Sequence, residues 1–331
     1  MNENEKNNDN YFDFGNSNLQ QVLKKTKRKQ VVKYVLITVL TMVICIGGGI
    51  KGSQFLLNHR MNSLDHSIDL VRGANTIIEG TYTVDTNFFS KTIQTIYRKK
   101  VGNRSILWDK KTEKIPLFGE IEVVDRGKGL TEINKMDEKS QRQVRYNDFN
   151  NETYIDFYYP QLVIEDLPQE LEIAVDLDDD KLVEVALSFK KSMNISDVPE
   201  QLGIENVNWL WVDTTTPEQI EKMNKEKELT WNSNKIKEGE EAIGFYLRPD
   251  LELTKDSGQE FIQYLKLLNT SNGGNHTIKA ALANLKEKIK QTNGEVLISG
   301  AVVSGTPEEL TRFRELNFIK ASVIGATIDK Y

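Results

Sequence analysis

The chain has 331 residues, of which 28% are charged, with a net charge of −6 and a single cysteine. This acidic balance argues against nucleic acid as a partner, because phosphate backbones are bound by lysine and arginine. The lone Cys45 excludes a disulfide within the chain, so the folded part depends on its own hydrophobic core.

The N-terminal arm, residues 1–30, has a polar start followed by a small apolar cluster. Ser17 is predicted to cap a short helix with one apolar face. That face consists of Leu19, Val22 and Leu23 at helical spacing. Two interpretations remain open, a segment lying along the inner leaflet or a docking helix for a cytoplasmic protein. The side chains predicted to contact a protein partner are Phe12, Phe14, Leu19, Val22 and Leu23.

Residues 31–57 are predicted to contain one membrane-spanning helix with its outer flank. Seventeen consecutive residues, 34–50, carry no charge and cover roughly 26 Å at about 1.5 Å per residue. Starting at Val31 adds a further turn, and the Lys33 amine can extend to the lipid head groups. A cleaved signal peptide is the competing interpretation. The apolar run is too long for one, a polar arm precedes it, and no A-x-A site follows it.

Positive charge is concentrated on the N-terminal side of this helix. Residues 1–33 hold seven basic and four acidic side chains, a net charge of +3, which leaves −9 for the rest. The positive-inside rule therefore predicts a single-pass protein of the cell membrane with a cytoplasmic N-terminus and an extracytoplasmic C-terminal body. The residues predicted to anchor the helix in the lipid bilayer are Lys24, Lys25, Lys27, Arg28, Lys29, Lys33, Tyr34 and Ile50.

The region 58–150 is predicted to begin with a stalk helix, because apolar residues recur at alternating spacings of four and three. A stalk that packs on its own domain is favoured over a homo-dimer, although G-x-x-x-G at Gly48 and Gly52 would allow two helices to approach closely. The apolar seam of the stalk consists of Leu57, Met61, Leu64, Ile68 and Val71.

The exported body alternates strand-like with helix-like stretches and has more hairpins than crossovers, which predicts a large mixed α+β domain. A polar stretch, 127–151, marks the boundary to a C-terminal region, 151–331. Strands are predicted at 77–84, 121–124, 153–159, 171–175, 182–189 and 319–328. Helices are predicted at 90–99, 257–269 and 277–291.

Two T-P-E-[EQ] tetrapeptides each follow a predicted strand. Thr216 and Thr306 are predicted helix N-caps, with proline at N1 and glutamine or glutamate at N3, which is the pattern of a capping box. The second one leads into the strand 319–328 and gives a βαβ-like element. Before the first, Trp209 and Trp211 share one face of a strand and are predicted core or interface side chains.

No residue pattern predicts catalysis, a bound metal or a cofactor. Among the three histidines, His59 and His66 are seven residues apart without a third ligand, and His276 lies in a polar loop. The sequence has neither a nucleophile elbow nor a phosphate-binding loop. We therefore predict a non-enzymatic protein, while a pair of carboxylates for glycoside cleavage can only be judged from their separation in space.

The order of a short arm, a basic cluster, one span and a cysteine-free body resembles the sigma factor regulator family, membrane-anchored anti-sigma-like proteins of Gram-positive bacteria. Near the N-terminus the likeness lies in LKKTKRKQVVKYVLITVL and TNFFSKTIQTIYRKK. In the C-terminal part it lies in EVALSFKKSMNISDVPEQL, NWLWVD, GAVVSGTPEELTRF and IKASVIGATIDKY. Together these segments extend over most of the chain.

The resemblance implies a regulator of transcription and not an enzyme. Its arm would bind an extracytoplasmic-function sigma factor, directly or through a companion membrane protein, and its outer domain would act as a sensor. Two alternatives from other classes remain open. One is a structural or assembly protein of the envelope, and the other is a cell-wall hydrolase or transferase with an unrecognised site.

Overall fold

The computed structural model describes residues 17–62, 67–127, 131–136, 143–225, 235–247, 252–271 and 275–331. The chain divides into two units, Met1–Asn58 and His59–Tyr331, called here the first and the second unit. The helices are α1 (Ser17–Asn62), α2 (Leu171–Val175), α3 (Val198–Gln201), α4 (Pro217–Lys225), α5 (Lys255–Ser271), α6 (His276–Gln291) and α7 (Pro307–Arg314).

Strands occur only in the second unit of the described chain. The first six are β1 (Thr76–Thr86), β2 (Ser90–Val101), β3 (Arg104–Pro116), β4 (Glu122–Arg126), β5 (Thr131–Met136) and β6 (Gln143–Asn147). The others are β7 (Asp156–Tyr158), β8 (Lys181–Asn194), β9 (Val207–Val212), β10 (Ile236–Glu238), β11 (Gly244–Tyr246), β12 (Leu297–Gly305) and β13 (Ile319–Asp329).

Helix α1 has 46 residues and, at about 1.5 Å per residue, a length of roughly 69 Å. The prediction of a short, separately capped arm helix is wrong, because Ser17 begins this same helix and no proline interrupts it. Within the apolar run, the hydroxyls of Thr38 and Thr41 donate to the carbonyls of Tyr34 and Ile37, at 2.9 and 2.8 Å. These polar side chains are therefore satisfied inside the helix, as a lipid environment requires.

The prediction that the stalk is one continuous helix is also wrong. Helix α1 ends at Asn62, residues 63–66, including Leu64, lie outside the described residues, and Ser67–Leu70 form one turn of 3-10 helix. Ile68 and Val71 are buried in the main core of the second unit instead of extending a helical seam.

Strands β1 to β4 form an antiparallel meander in the order β1-β2-β3-β4. The predicted helix at 90–99 is wrong, because this segment is the central strand β2. The buried face of β2 includes a threonine and a lysine. The alternation of buried and less buried residues therefore does not appear as an alternation of apolar and polar residues in the sequence. The buried alternate residues of β2 are Ile93, Thr95, Tyr97 and Lys99.

The C-terminal sheet has the order β11-β9-β12-β8-β13, and every neighbouring pair is antiparallel. Strands β12 and β13 both pair with β8, so they run in the same direction with β8 between them, and α7 connects them as the predicted βαβ-like element. The capping boxes at Thr216 and Thr306 are confirmed by reciprocal hydrogen bonds with Gln219 and Glu309.

Both faces of this sheet are buried. Leu210 and Val212 of β9 belong to a core that includes buried residues of α5 and α6. Trp209 and Trp211 face the opposite side, with ring centroids 6.1 and 5.0 Å from that of Phe157. The prediction that the two tryptophans are core side chains is therefore confirmed.

The remaining predicted elements of the α+β fold agree with the structure except in two places. The segment 171–175 is helix α2 and not a strand, because a five-residue apolar run does not distinguish the two. Within 153–159, only Asp156–Tyr158 forms a strand. The polar stretch 127–151 contains the antiparallel pair β5 and β6. The predicted segments that are confirmed are 77–84, 121–124, 182–189, 257–269, 277–291 and 319–328.

Candidate functional site

Helix α1 is long and apolar enough to cross a membrane. The predicted anchoring residues lie along this helix with exposed side chains, including Tyr34 at 67% and Ile50 at 40% exposure. The basic ones occupy the turns before the apolar run: Lys24, Lys25, Lys27, Arg28, Lys29 and Lys33. Their placement gives the charge distribution expected at a membrane surface.

The predicted partner-binding residues are only partly within the described chain. Leu19, Val22 and Leu23 lie in the first turns of α1, and the side chains of Val22 and Leu23 are 63% and 53% exposed. Phe12 and Phe14 lie outside the described residues. Leu19, Val22 and Leu23 therefore belong to the same uninterrupted helix as the span.

A groove of about 1130 Å³ opens in the second unit where β9 ends. Its walls come from the end of β8, the start of α4, one face of α6 and the loop after β7. Lys190, Lys191 and Lys288 bring positive charge to the lining, and Glu218, Glu221 and Glu287 bring negative charge. The groove thus offers both signs of charge around a partly apolar surface.

Asp213 is the polar centre of this groove and is almost completely buried. Its Oδ2 accepts hydrogen bonds from Gln161 Nε2 at 3.1 Å and Ser192 Oγ at 3.1 Å, and it forms an ion pair with Lys288 Nζ at 2.5 Å. Its Oδ1 accepts from the backbone N–H of Thr215 at 3.1 Å. Because both oxygens already have donors, the carboxylate holds four chain segments together and is not a free general base.

The loop that carries Gln161 is held by a lysine from β13. Lys320 Nζ donates to the carbonyl oxygens of Tyr159 and Leu162. Burial lowers the pKa of Lys320 to about 8. Burial, and then the negative charges of Asp213 and Glu241, raise the pKa of Tyr159, so its phenol stays protonated.

Sequence reasoning missed this groove. Gln161, Ser192, Asp213 and Lys288 are far apart in the chain, and only the fold brings them together. The one local signal was the carboxylate of NWLWVD, which directly follows a fully buried strand. A charged residue at the end of such a strand needs partners, but the sequence does not name them.

Two family models match the chain. The model described as sigma factor regulator N-terminal matches residues 20–106, and the model described as sigma factor regulator C-terminal matches residues 175–326. The chain belongs to the sigma factor regulator family. No curated protein and no solved structure matches it. This sigma factor regulator is a membrane protein, and α1 is the N-terminal apolar helix that can cross the bilayer.

The two matched regions of this sigma factor regulator meet at a buried ion pair. Lys99 of β2 lies in the N-terminal match and Glu184 of β8 in the C-terminal one, with the nitrogen 3.0 Å from Oε2. Asn75 Nδ2 and the backbone N–H of Ala326 also donate to the carboxylate, at 2.8 and 3.1 Å. The lysine nitrogen lies 4.0 Å from the ring centroid of Trp108. Both charges are fully compensated, so this pair fixes strand β2 against strand β8.

Sigma factor regulators act in regulation and not in catalysis. In the part of the chain that the structure describes, no cluster of three or more histidine, cysteine, aspartate or glutamate side chains is suited to holding a metal ion. The features that the fold assembles are instead the exposed apolar residues of α1, the Asp213 groove and the buried ion pair.

Proposed function

We propose that this sigma factor regulator controls transcription from the membrane. The arm, residues 1–30, is cytoplasmic and binds an extracytoplasmic-function sigma factor, directly or through a companion membrane regulator. The second unit lies outside the cytoplasm and acts as the sensor. The clustered positive charge before the span supports this orientation.

The observation that carries the proposal is the continuity of α1. The exposed Val22 and Leu23 and the apolar run share one helix, with no break between them. A shift or rotation of the span therefore moves the arm as well. Apolar side chains on a helix are a common recognition element for a partner groove, and Leu19, Val22 and Leu23 supply them here. In the sequence, Phe12 and Phe14 precede them and complete the proposed set of partner contacts.

The Asp213 groove is the sensor site in this proposal. A ligand that enters it must bind one arrangement of the second unit better than another in order to change the arm. A coupling free energy of about 1–3 kcal/mol would change the affinity of the arm roughly 5- to 150-fold, and partner binding would change ligand affinity by the same factor. The groove supports this role because its polar centre connects segments from β8, α6 and two loops.

Replacing Leu19 and Leu23 tests the assignment of the arm. We expect Leu19→Ala combined with Leu23→Ala to weaken partner binding roughly tenfold or more, because apolar anchors dominate such contacts. The promoter of the controlled sigma factor should then become active in unstressed cells, as measured with a transcriptional reporter.

The matched control is Gln20→Ala with Gln21→Ala, which changes two exposed polar residues of the same helix turn. It should leave the reporter repressed. Membrane fractionation must show equal amounts of both variants in the membrane. A repressed reporter in the leucine variant, at normal protein level, would contradict the assignment of these residues.

A further inference from the structure

Three phenylalanines are exposed to solvent at one end of the meander sheet formed by β1 to β4. Phe88 and Phe89 lie in the turn between β1 and β2, and Phe118 lies in the loop between β3 and β4. Their exposed fractions are 43%, 68% and 80%. We call these three residues the aromatic tip. Exposed aromatic side chains grouped at one place mark an interaction surface more often than scattered ones.

The backbone of the aromatic tip is well defined. Asn87 Oδ1 accepts from the backbone N–H groups of Phe89 and Ser90, at 2.9 and 2.8 Å. The backbone N–H of Leu117 donates to the carbonyl of Phe89 at 2.7 Å, which joins the two turns. The rings of Phe88 and Phe89 meet edge to face, with centroids 4.8 Å apart. The backbone that carries the rings is thus ordered by its own hydrogen bonds, so little backbone entropy is lost on binding.

The opposite end of the meander sheet is attached to the C-terminal sheet. The backbone N–H of Gly102, in the turn between β2 and β3, donates to Ser304 Oγ of β12 at 2.7 Å. Strand β2 has 12 residues and extends about 40 Å from that turn to the aromatic tip. The attachment to the C-terminal sheet and the aromatic tip therefore lie at opposite ends of the meander sheet.

Arg60, near the C-terminal end of α1, is hydrogen-bonded to the backbone beside the aromatic tip. Its guanidinium donates to the carbonyls of Pro116 and Gly119, at 2.8 and 2.6 Å, on either side of Phe118. Arg60 follows Ile50, the last residue of the uncharged run, by ten positions. Ten residues extend at most about 35 Å, and about 15 Å as a helix. Chain length therefore allows the aromatic tip to reach the bilayer surface.

We propose that the aromatic tip binds the lipid bilayer on the C-terminal side of the span, with its three rings in the head-group region. Phenylalanine side chains gain from leaving water there, and the carbonyl-bound Arg60 is compatible with a polar, charged layer. The exposed charges beside the tip include Glu120 and Glu122, so attraction to anionic lipid does not drive the contact. A zwitterionic phosphatidylcholine surface is sufficient. This inference requires only the membrane span and does not rest on the proposed function.

The test uses the full-length chain with Cys45→Ser, so that one introduced cysteine carries an environment-sensitive NBD fluorophore. Phe89→Cys and Phe118→Cys report on the aromatic tip. Val163→Cys, at an apolar residue that is 91% exposed in the loop after β7, is the matched control. Each protein is reconstituted at one chain per nanodisc, with phosphatidylcholine alone or with added doxyl-labelled phosphatidylcholine.

We expect both tip labels to show a blue-shifted emission that doxyl lipid quenches, while the label at 163 emits as in water and is not quenched. Two reporting positions guard against local misfolding of one variant. Emission from both tip labels equal to that of the control would overturn the proposal. A blue shift without quenching by doxyl lipid would also overturn it, because the rings would then be covered by protein, as in contact with a second copy.

Discussion

Glu184→Gln is expected to lower the free energy of unfolding of the second unit by about 3–5 kcal/mol, because it leaves the Lys99 ammonium buried without a countercharge. The carboxylate accepts from Lys99, from Asn75 Nδ2 and from the backbone N–H of Ala326. Glutamine offers one acceptor oxygen where the carboxylate offers two. The full-length protein in detergent should therefore unfold at a midpoint roughly 10 °C lower, measured by near-ultraviolet circular dichroism.

A double variant separates the ion pair from the packing around it. Lys99→Met combined with Glu184→Gln removes both charges at similar volume, and we expect most of the lost stability to return. Glu221→Gln, which breaks the exposed Lys225–Glu221 pair on α4, is the control and should change the midpoint little. A Glu184→Gln midpoint equal to that of the control would contradict the role assigned to the buried pair.

Asp213→Ala is expected to destabilise the second unit by about 3 kcal/mol and to open the groove locally. Four donors lose their acceptor at once, and the Lys288 ammonium, mostly buried, loses its countercharge. The backbone N–H of Thr215 then has no carboxylate to bind. Hydrogen exchange followed by mass spectrometry should show faster exchange in the peptide that contains Thr215, together with a lower unfolding midpoint.

The matched control for Asp213→Ala is Asp179→Ala, which removes an exposed carboxylate from the turn before β8. It should leave exchange around Thr215 unchanged. Adding Lys288→Met to Asp213→Ala removes the unpaired charge, so part of the midpoint should be recovered. Unchanged exchange at Thr215 in the Asp213 variant would show that the groove does not depend on this carboxylate.

The fold was predictable wherever local chemistry decided it. The capping boxes at Thr216 and Thr306 depend on neighbouring residues, and the structure agrees with them. Strand β2 was mistaken for a helix because Thr95 and Lys99 occupy its buried face. Lys99 is acceptable there only because Glu184, 85 residues later, neutralises it. No local pattern contains that partner.

The membrane helix and the groove also differ in how far the local sequence predicts them. An uncharged run predicts a membrane span from composition alone. That the same helix also includes the end of the arm depends on all of residues 17–62, which contain no proline. The groove depends on contacts such as that between Asp213 and Lys288, which join the end of β9 to α6. Contacts of this range follow from topology, which the sequence specified only as α+β.

The central claim is that the arm binds a regulator of transcription, and crosslinking from Val22 in intact cells tests it most directly. A photo-reactive amino acid at Val22 of the full-length protein, with Lys51 on the other side of the span as the control position, is irradiated and its adducts are identified by mass spectrometry. The account predicts an extracytoplasmic-function sigma factor, or a membrane protein that itself binds one, at Val22 and not at Lys51. Adducts with lipid alone at Val22, or the same adducts at both positions, would contradict it.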